Sequence, residues 1–225
     1  MSDIARTAHA SDGLRLGPPL AQARGAIILI HGRGSSPEDI AALAGLLPGE
    51  GIAFLAPAAA GGTWYPQRFL APLASNEPAL TRALDTIHRQ VEEITAAGLD
   101  PRQIGLIGFS QGACLALEYA VRRPRRYGFV AGLSGALIGP PETERLLVDL
   151  RGLPILLGCA EADPHIPLDY VERSAATLTR LGADVTKQIF RGGEHTVFPP
   201  EVEWLRQHAL MTSAAPSPHK KPAGS

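Results

Sequence analysis

Gly108-Phe109-Ser110-Gln111-Gly112 sets a serine between two glycines, directly after the apolar run Ile104-Gly105-Leu106-Ile107. A strand that ends in this pentapeptide and passes into a helix forms a tight turn with the serine at its tip. The turn holds the serine at an unfavourable backbone angle and leaves its hydroxyl exposed. Glycines flank it because a side chain at either position would strike the neighbouring strand or helix. The helix expected over residues 111–122 points its N-terminus at the serine. Its dipole and free N–H groups favour the negative charge of an acyl-transfer intermediate. This context favours a nucleophile over a plain Gly-rich turn.

A serine hydroxyl is a weak nucleophile until an imidazole takes its proton. A carboxylate then holds that imidazole in the right tautomer and stabilises its charged form. In parallel sheets, sites gather beyond the carboxyl ends of strands, so the partners should follow strand ends. Asp163 follows an expected strand at 154–159, and His195 follows one at 185–190, within Arg191-Gly192-Gly193-Glu194-His195. The chain order Ser, Asp, His is that of α/β-hydrolases and not of the unrelated triad folds. Asp169 is the next candidate acid. Among the other histidines, His88 lies mid-helix, His208 near the end of the last helix, and His9 and His219 near the chain ends. His165 is placed at a pocket rim.

An oxyanion hole completes the chemistry. His31-Gly32-Arg33-Gly34 follows the first strongly apolar strand, where such a hole receives one N–H donor. The backbone N–H groups of Arg33 and Gln111 are the candidates. His31 is expected to organise this loop without transferring a proton. The Arg33 side chain is expected to point to water, with an anionic substrate group as the alternative.

The elements that must position these residues alternate along the chain. Short apolar runs at 26–30, 52–56, 104–109, 129–133, 154–159 and 185–190 read as buried strands. Between them, Ser36-Pro37 opens a helix as N-cap and first helical residue. Helices are expected over 77–97, 111–122, 169–181 and 200–210. Leu80, Ala83, Leu84, Ile87, Val91 and Ile94 line one face of the first of these, and Gly98 stops it. Alternating strands and helices imply α/β architecture, a mostly parallel sheet with helices on both faces.

The 225 residues suffice for one domain, and the net charge is −1 with both signs interspersed. That balance offers no basic stripe for nucleic acid. Two cysteines make neither a disulfide framework nor a metal cluster, and no metal-binding motif is present. No run reaches membrane-spanning length, so a soluble cytoplasmic protein without membrane insertion is expected. The division expected is a partly extended N-terminal segment at 1–24, one domain at 25–211 and a disordered small-residue, Pro-rich tail at 212–225.

With these pieces assembled, the chain resembles the phospholipase/carboxylesterase family over roughly residues 25–210. The likeness lies in Ile30-His31-Gly32-x-Gly34, Thr63-Trp64-Tyr65, Gly108-Phe109-Ser110-Gln111-Gly112-Ala113, Asp163-Pro164-x-Ile166-Pro167 and Gly193-x-His195. The resemblance implies an α/β-hydrolase fold, Ser110, Asp163 and His195 as catalytic triad, and the N–H groups of Arg33 and Gln111 as oxyanion hole. It implies no cofactor, and homodimers are common in the family. Two departures matter: Arg33 stands where the family often has an apolar residue, and the segment 61–77 lacks the long hydrophobic acyl-binding loop of the thioesterase branch. Trp64, Tyr65, Phe69 and Leu70 are expected to line a pocket with His31, Gly32 and His165, unless the loop simply packs on the sheet edge. Arg68 and Arg33 argue for a short-chain or aromatic small-molecule ester over a palmitoylated protein.

Acyl-protein thioesterase, lysophospholipase and dienelactone-type lactone hydrolase activities are the alternatives within the family's reach. Dienelactone hydrolases carry a cysteine at the elbow, whereas here Cys114 lies one helical turn beyond Ser110. A nucleotide-binding reading of Gly32-x-Gly34 fails because Pro37 stands where the third glycine belongs. A non-catalytic binding module would be marked by a degenerate triad, which this chain does not have.

Overall fold

The computed structural model describes residues 6–9 and 13–214. Eight strands form one sheet: β1 (Arg6–His9), β2 (Gly13–Leu16), β3 (Gly25–Ile30), β4 (Ile52–Ala56), β5 (Ile104–Phe109), β6 (Phe129–Leu133), β7 (Pro154–Ala160) and β8 (Asp184–Phe190). They lie in the order β1-β2-β4-β3-β5-β6-β7-β8. β4 through β8 pair in parallel, while β1 and β2 join the β4 edge antiparallel.

Alternate residues of the central strands serve opposite faces. Ala26, Ile28 and Ile30 of β3 pack with α3 (Ala79–Ala96) and α4 (Gln111–Arg122), in the core that also takes α5 (Leu168–Arg180). Ile27 and Leu29 pack on the other face with α1 (Pro37–Ala41) and α6 (Pro199–Ala214). A strand covered on both faces has no polar side to show, which explains the unbroken apolar runs. α4 is buried at every residue but Arg122, so the helix that follows Ser110 is fixed by the core itself.

Three boundaries differ from expectation. The N-terminal segment does not stand apart: Leu14 pairs with Ala56 and Leu16 with Phe54, which puts β2 inside the sheet. The helix expected from residue 77 starts at Ala79, after the separate short helix α2 (Leu73–Asn76). Pro78 forces Glu77 into an extended conformation, and Glu77 Oε2 then accepts the Thr81 N–H at 3.0 Å. Finally, α6 runs to Ala214, four residues past the expected end, because Thr212 is buried against Gly128 and bonds back to His208 O at 2.8 Å. The rest of the expected tail lies outside the described residues. The Ser36 cap is as expected, with Asp39 completing a reciprocal capping box. No helix among the described residues is long and apolar enough to cross a membrane.

Candidate active site

The elbow is built as its composition requires. Ser110 sits between β5 and α4 at φ 53° and ψ −116°. This is a sparsely populated conformation for a residue with a side chain. It is held by the Ser110 N–H donating to Leu133 O at 2.9 Å and by the Cys114 N–H donating to Ser110 O at 3.1 Å. The flanking glycines are steric necessities. A Cβ at Gly108 would lie 2.1 Å from Gly112 O, and one at Gly112 would lie 2.1 Å from Ile30 O.

Asp163, in the loop after β7, and His195, in the loop after β8, meet over this turn. The His195 Nδ1–H donates to Asp163 Oδ2 at 2.7 Å, and the Asp163 carboxylate is fully buried. Its other oxygen accepts the backbone N–H groups of His165 at 2.8 Å and Ile166 at 3.1 Å. Burial alone would raise this carboxyl, but hydrogen bonds from His195, His165 and Ile166 outweigh it and hold the group below the usual carboxylate range. The alternative acid, Asp169, is exposed on α5 and faces Arg173.

With Nδ1 committed to Asp163, the other face of the imidazole is left for chemistry. The ring packs against Phe109 at 5.0 Å and the rim residue His165 at 4.8 Å between centroids. Ser110 and His195 line one cavity of about 450 Å³. Ser110 makes no side-chain hydrogen bond among the described residues, so its hydroxyl is open to this cavity.

The backbone N–H groups of Arg33 and Gln111 find no acceptor among the described residues. Gln111 is the first residue of α4, where helix geometry leaves the N–H unpaired. The side chains of these two residues share a task that sequence reasoning did not reach. Gln111 accepts the Trp64 N–H at 3.0 Å and donates to Tyr65 O at 2.8 Å. Arg33 is exposed and lines the cavity, and its side chain is also fixed by backbone partners. Its guanidinium donates to Tyr65 O, Pro66 O and Gln67 O at 2.9, 3.0 and 2.7 Å. The planar fork presents its donors from two nitrogens in fixed directions, a geometry that a single ammonium nitrogen does not reproduce. The segment 64–67 is therefore fastened to the elbow by Gln111 and to the loop after β3 by Arg33. Asn76 is a third side chain on this segment, accepting the Gln67 N–H at 2.8 Å from a fully buried position.

Of the expected pocket residues, Gly32, Tyr65, Phe69 and His165 line the cavity. His31, Trp64 and Leu70 do not. His31 is fully buried behind Gly32, with Nδ1 donating to Gly32 O at 2.8 Å and Nε2 accepting the Ala59 N–H at 3.2 Å. Burial pushes its pKa down, and both ring nitrogens are occupied, so it braces the loop as expected but cannot face substrate. Trp64 donates from Nε1 to His31 O at 2.8 Å and packs on that ring instead of on the cavity. Arg68, Phe109, Cys114 and Ile166 complete most of the wall. Burial lifts the Cys114 thiol to about 12, so the sulfur beside Ser110 stays protonated and is no rival nucleophile.

Two buried groups behind the site left no recognisable pattern in the sequence. Cys159 Sγ lies 3.7 Å from Asp163 Oδ2. Glu201, at the start of α6, has no exposure and occupies the space that a side chain at Gly158 would fill. Its Oε2 accepts the Phe198 N–H at 2.6 Å, while Oε1 has no partner among the described residues. Burial raises this carboxyl from 4.5 to about 7. Between those values the folded protein holds a proton that the unfolded chain has released, so stability falls as pH rises from about 4.5 to about 7 and is level above. The shift corresponds to on the order of 3 kcal/mol. Glu201→Gln is expected to flatten the thermal-unfolding profile across that window, giving a higher Tm than wild type at pH 8. Parallel profiles for the two proteins would show that the carboxyl does not titrate there.

Among the described residues no group of three His, Cys, Asp or Glu side chains is arranged to hold a metal ion. The arrangement can perform acyl transfer: a serine on a strained turn, an imidazole oriented by a buried carboxylate, and two backbone donors beside a cavity.

Known proteins resemble this chain over most of its length. A model of the phospholipase/carboxylesterase family matches residues 15–213. NocK of Nocardia uniformis subsp. tsuyamanensis, named as an esterase, is 31% identical over 80% of this chain and 51% of its own length. Acyl-protein thioesterase 1 of Saccharomyces cerevisiae is 26% identical over 86% of this chain and 95% of its own. The match thus spans about half of the first relative and nearly all of the second. A crystal structure of a phospholipase/carboxylesterase from Dyadobacter fermentans superposes with a TM-score of 0.84 at 35% identity, covering 91% of this chain and 98% of that one.

Proposed function

Because the chain belongs to the phospholipase/carboxylesterase family, we propose that it hydrolyses carboxylic esters through an acyl-enzyme on Ser110. The observation that carries this reading is the strained Ser110 opening on the same cavity as an imidazole held at 2.7 Å by a buried carboxylate. Ser110 Oγ bonds to the acyl carbon as its proton passes to His195 Nε2. The carbonyl oxygen, now an oxyanion, is met by the N–H groups of Arg33 and Gln111. The alkoxide leaves with the proton from His195. Water, deprotonated by the same nitrogen, then attacks the acyl-enzyme and returns Ser110 with release of the acid.

A short or aromatic acyl group fits best, because the wall of the 450 Å³ cavity combines Tyr65 and Phe69 with the cations Arg33 and Arg68. The test is turnover of p-nitrophenyl esters from acetate to palmitate, together with mass-spectrometric mapping of a fluorophosphonate adduct. Labelling at Ser110 and a short-chain optimum are expected. A palmitate optimum would replace the small-ester reading with lipid or protein deacylation.

Arg33→Met removes three tethers from the 64–67 segment while leaving its own backbone N–H in the loop. It is expected to lower kcat/KM for a neutral short ester by about 10-fold through displacement of that N–H. The loss should fall mainly on kcat. Arg33→Lys should not restore it in full, since one ammonium nitrogen does not reproduce the two-nitrogen fork. Full activity in both variants would mean that the fork does not position the loop.

A further inference from the structure

The wall of the Ser110 cavity carries two guanidinium groups and no aspartate or glutamate. Neither Arg33 nor Arg68 pairs with a carboxylate among the described residues, in contrast to Arg123, Arg125 and Arg145. Both are held in place by neutral carbonyls instead. Arg33 is fixed by Tyr65, Pro66 and Gln67, and Arg68 Nη2 donates to His165 O at 3.2 Å. Carbonyl acceptors orient a guanidinium without cancelling its charge. Two oriented, uncompensated cations and the positive end of α4 therefore share one concave wall, and such a cleft concentrates anions.

A second groove, about 460 Å³, lies on the other side of His195. Its floor is apolar, with Ile40, Leu43, Leu46 and Val197, and it shares Gly32, Ser35, Phe109 and His195 with the first. Ser110 borders only the first. The chemistry then orients an ester across the two. The acyl carbon becomes bonded to Ser110, so the acid half occupies the cavity with the arginines. The alcohol oxygen takes its proton from His195, so the alcohol half lies in the apolar groove. The groove's one charged lining residue is Asp39, which disfavours an anionic alcohol.

We propose that the preferred substrate is a half-ester: an acid bearing a second, anionic group that meets Arg68 and Arg33, joined to an apolar alcohol. This rests on the ester-hydrolase reading above and adds to it the charge and direction of the substrate. The products are the alcohol and a dicarboxylic acid.

The test compares three esters with the full-length chain, following release of alcohol and acid by chromatography against a Ser110→Ala blank. Butyl hydrogen glutarate carries the charge on the acid, butyl pentanoate carries none, and the acetate ester of 4-hydroxybutanoate carries it on the alcohol. The expected kcat/KM for butyl hydrogen glutarate exceeds that for butyl pentanoate by about 10- to 100-fold, the scale of one charge-assisted contact. The preference should shrink with added salt, and Arg68→Gln should reduce the glutarate-to-pentanoate ratio, mainly through KM, with Arg68→Lys recovering part of it. A ratio near one, or a ratio that Arg68→Gln leaves unchanged, overturns the proposal. Preference for the charged alcohol reverses the orientation and overturns it too. In each of those cases Ser110-dependent cleavage of butyl pentanoate would leave the hydrolase reading standing. Absence of Ser110-dependent cleavage of all three esters would remove that reading itself.

Discussion

Ser110→Ala is expected to lower kcat for short esters by about 10⁴- to 10⁶-fold while the protein stays folded. The chemical side of this expectation is the loss of the atom that would form the proposed acyl-enzyme. The structural side is that the hydroxyl holds nothing else together. It makes no hydrogen bond among the described residues, and the turn is maintained by backbone bonds to Leu133 and Cys114. Alanine keeps the Cβ that the elbow already tolerates at φ 53°. Unfolding midpoint and circular dichroism should therefore match wild type, so that lost turnover reports on chemistry. Retention of more than a tenth of wild-type kcat in a folded variant would remove Ser110 from the reaction.

Asp163→Asn is expected to cost on the order of 10⁴-fold in kcat at neutral pH. The reason lies in how the carboxylate divides its two oxygens. Oδ1 accepts the N–H groups of His165 and Ile166, and Oδ2 accepts Nδ1–H of His195. Asparagine has one carbonyl oxygen, and the two fixed backbone donors claim it. Its NH2 then faces Nδ1, which must become the acceptor. The proton moves to Nε2, the nitrogen that has to receive one from Ser110. The variant thus keeps its shape and holds the imidazole in the tautomer that cannot act as base. Asp169→Asn, on the exposed face of α5, should leave turnover within a factor of about two, the scatter expected of a surface substitution. A larger loss for Asp169→Asn than for Asp163→Asn would exchange the two assignments.

The parts of this molecule that were legible beforehand share a physical origin. Ser110, Asp163 and His195 could be singled out as candidates because a parallel sheet delivers chemistry to its strand ends, and strands buried on both faces leave unbroken apolar runs. What escaped was set by three-dimensional partners. His31 and Trp64 carry the right side chains for a pocket, yet the His31 nitrogens are consumed by Gly32 and Ala59 and the indole bonds to a backbone carbonyl. Arg33 could not be placed because its acceptors are backbone oxygens of a loop more than thirty residues on, and carbonyls leave no residue-type signature. Strand β2 is four residues long, too short for its alternation to stand out, and becomes a strand only by pairing with β4. Glu201 resembles any acidic residue in a first helical turn until the fold buries it under Gly158.

The double duty of Arg33 and Gln111 has a consequence for how such a protein can change. Each offers a backbone N–H beside Ser110 and a side chain to the strip of loop that walls the cavity. Reshaping the wall at Tyr65 tugs on both donors, and moving either donor reshapes the wall. Substrate range and turnover are then a single inherited trait. Substitutions that widen acyl choice should arrive with slower rates, and paired changes in loop and donor should combine non-additively. A lineage that swaps its substrate here has to cross through sluggish intermediates, or replace the fastening before it alters the wall.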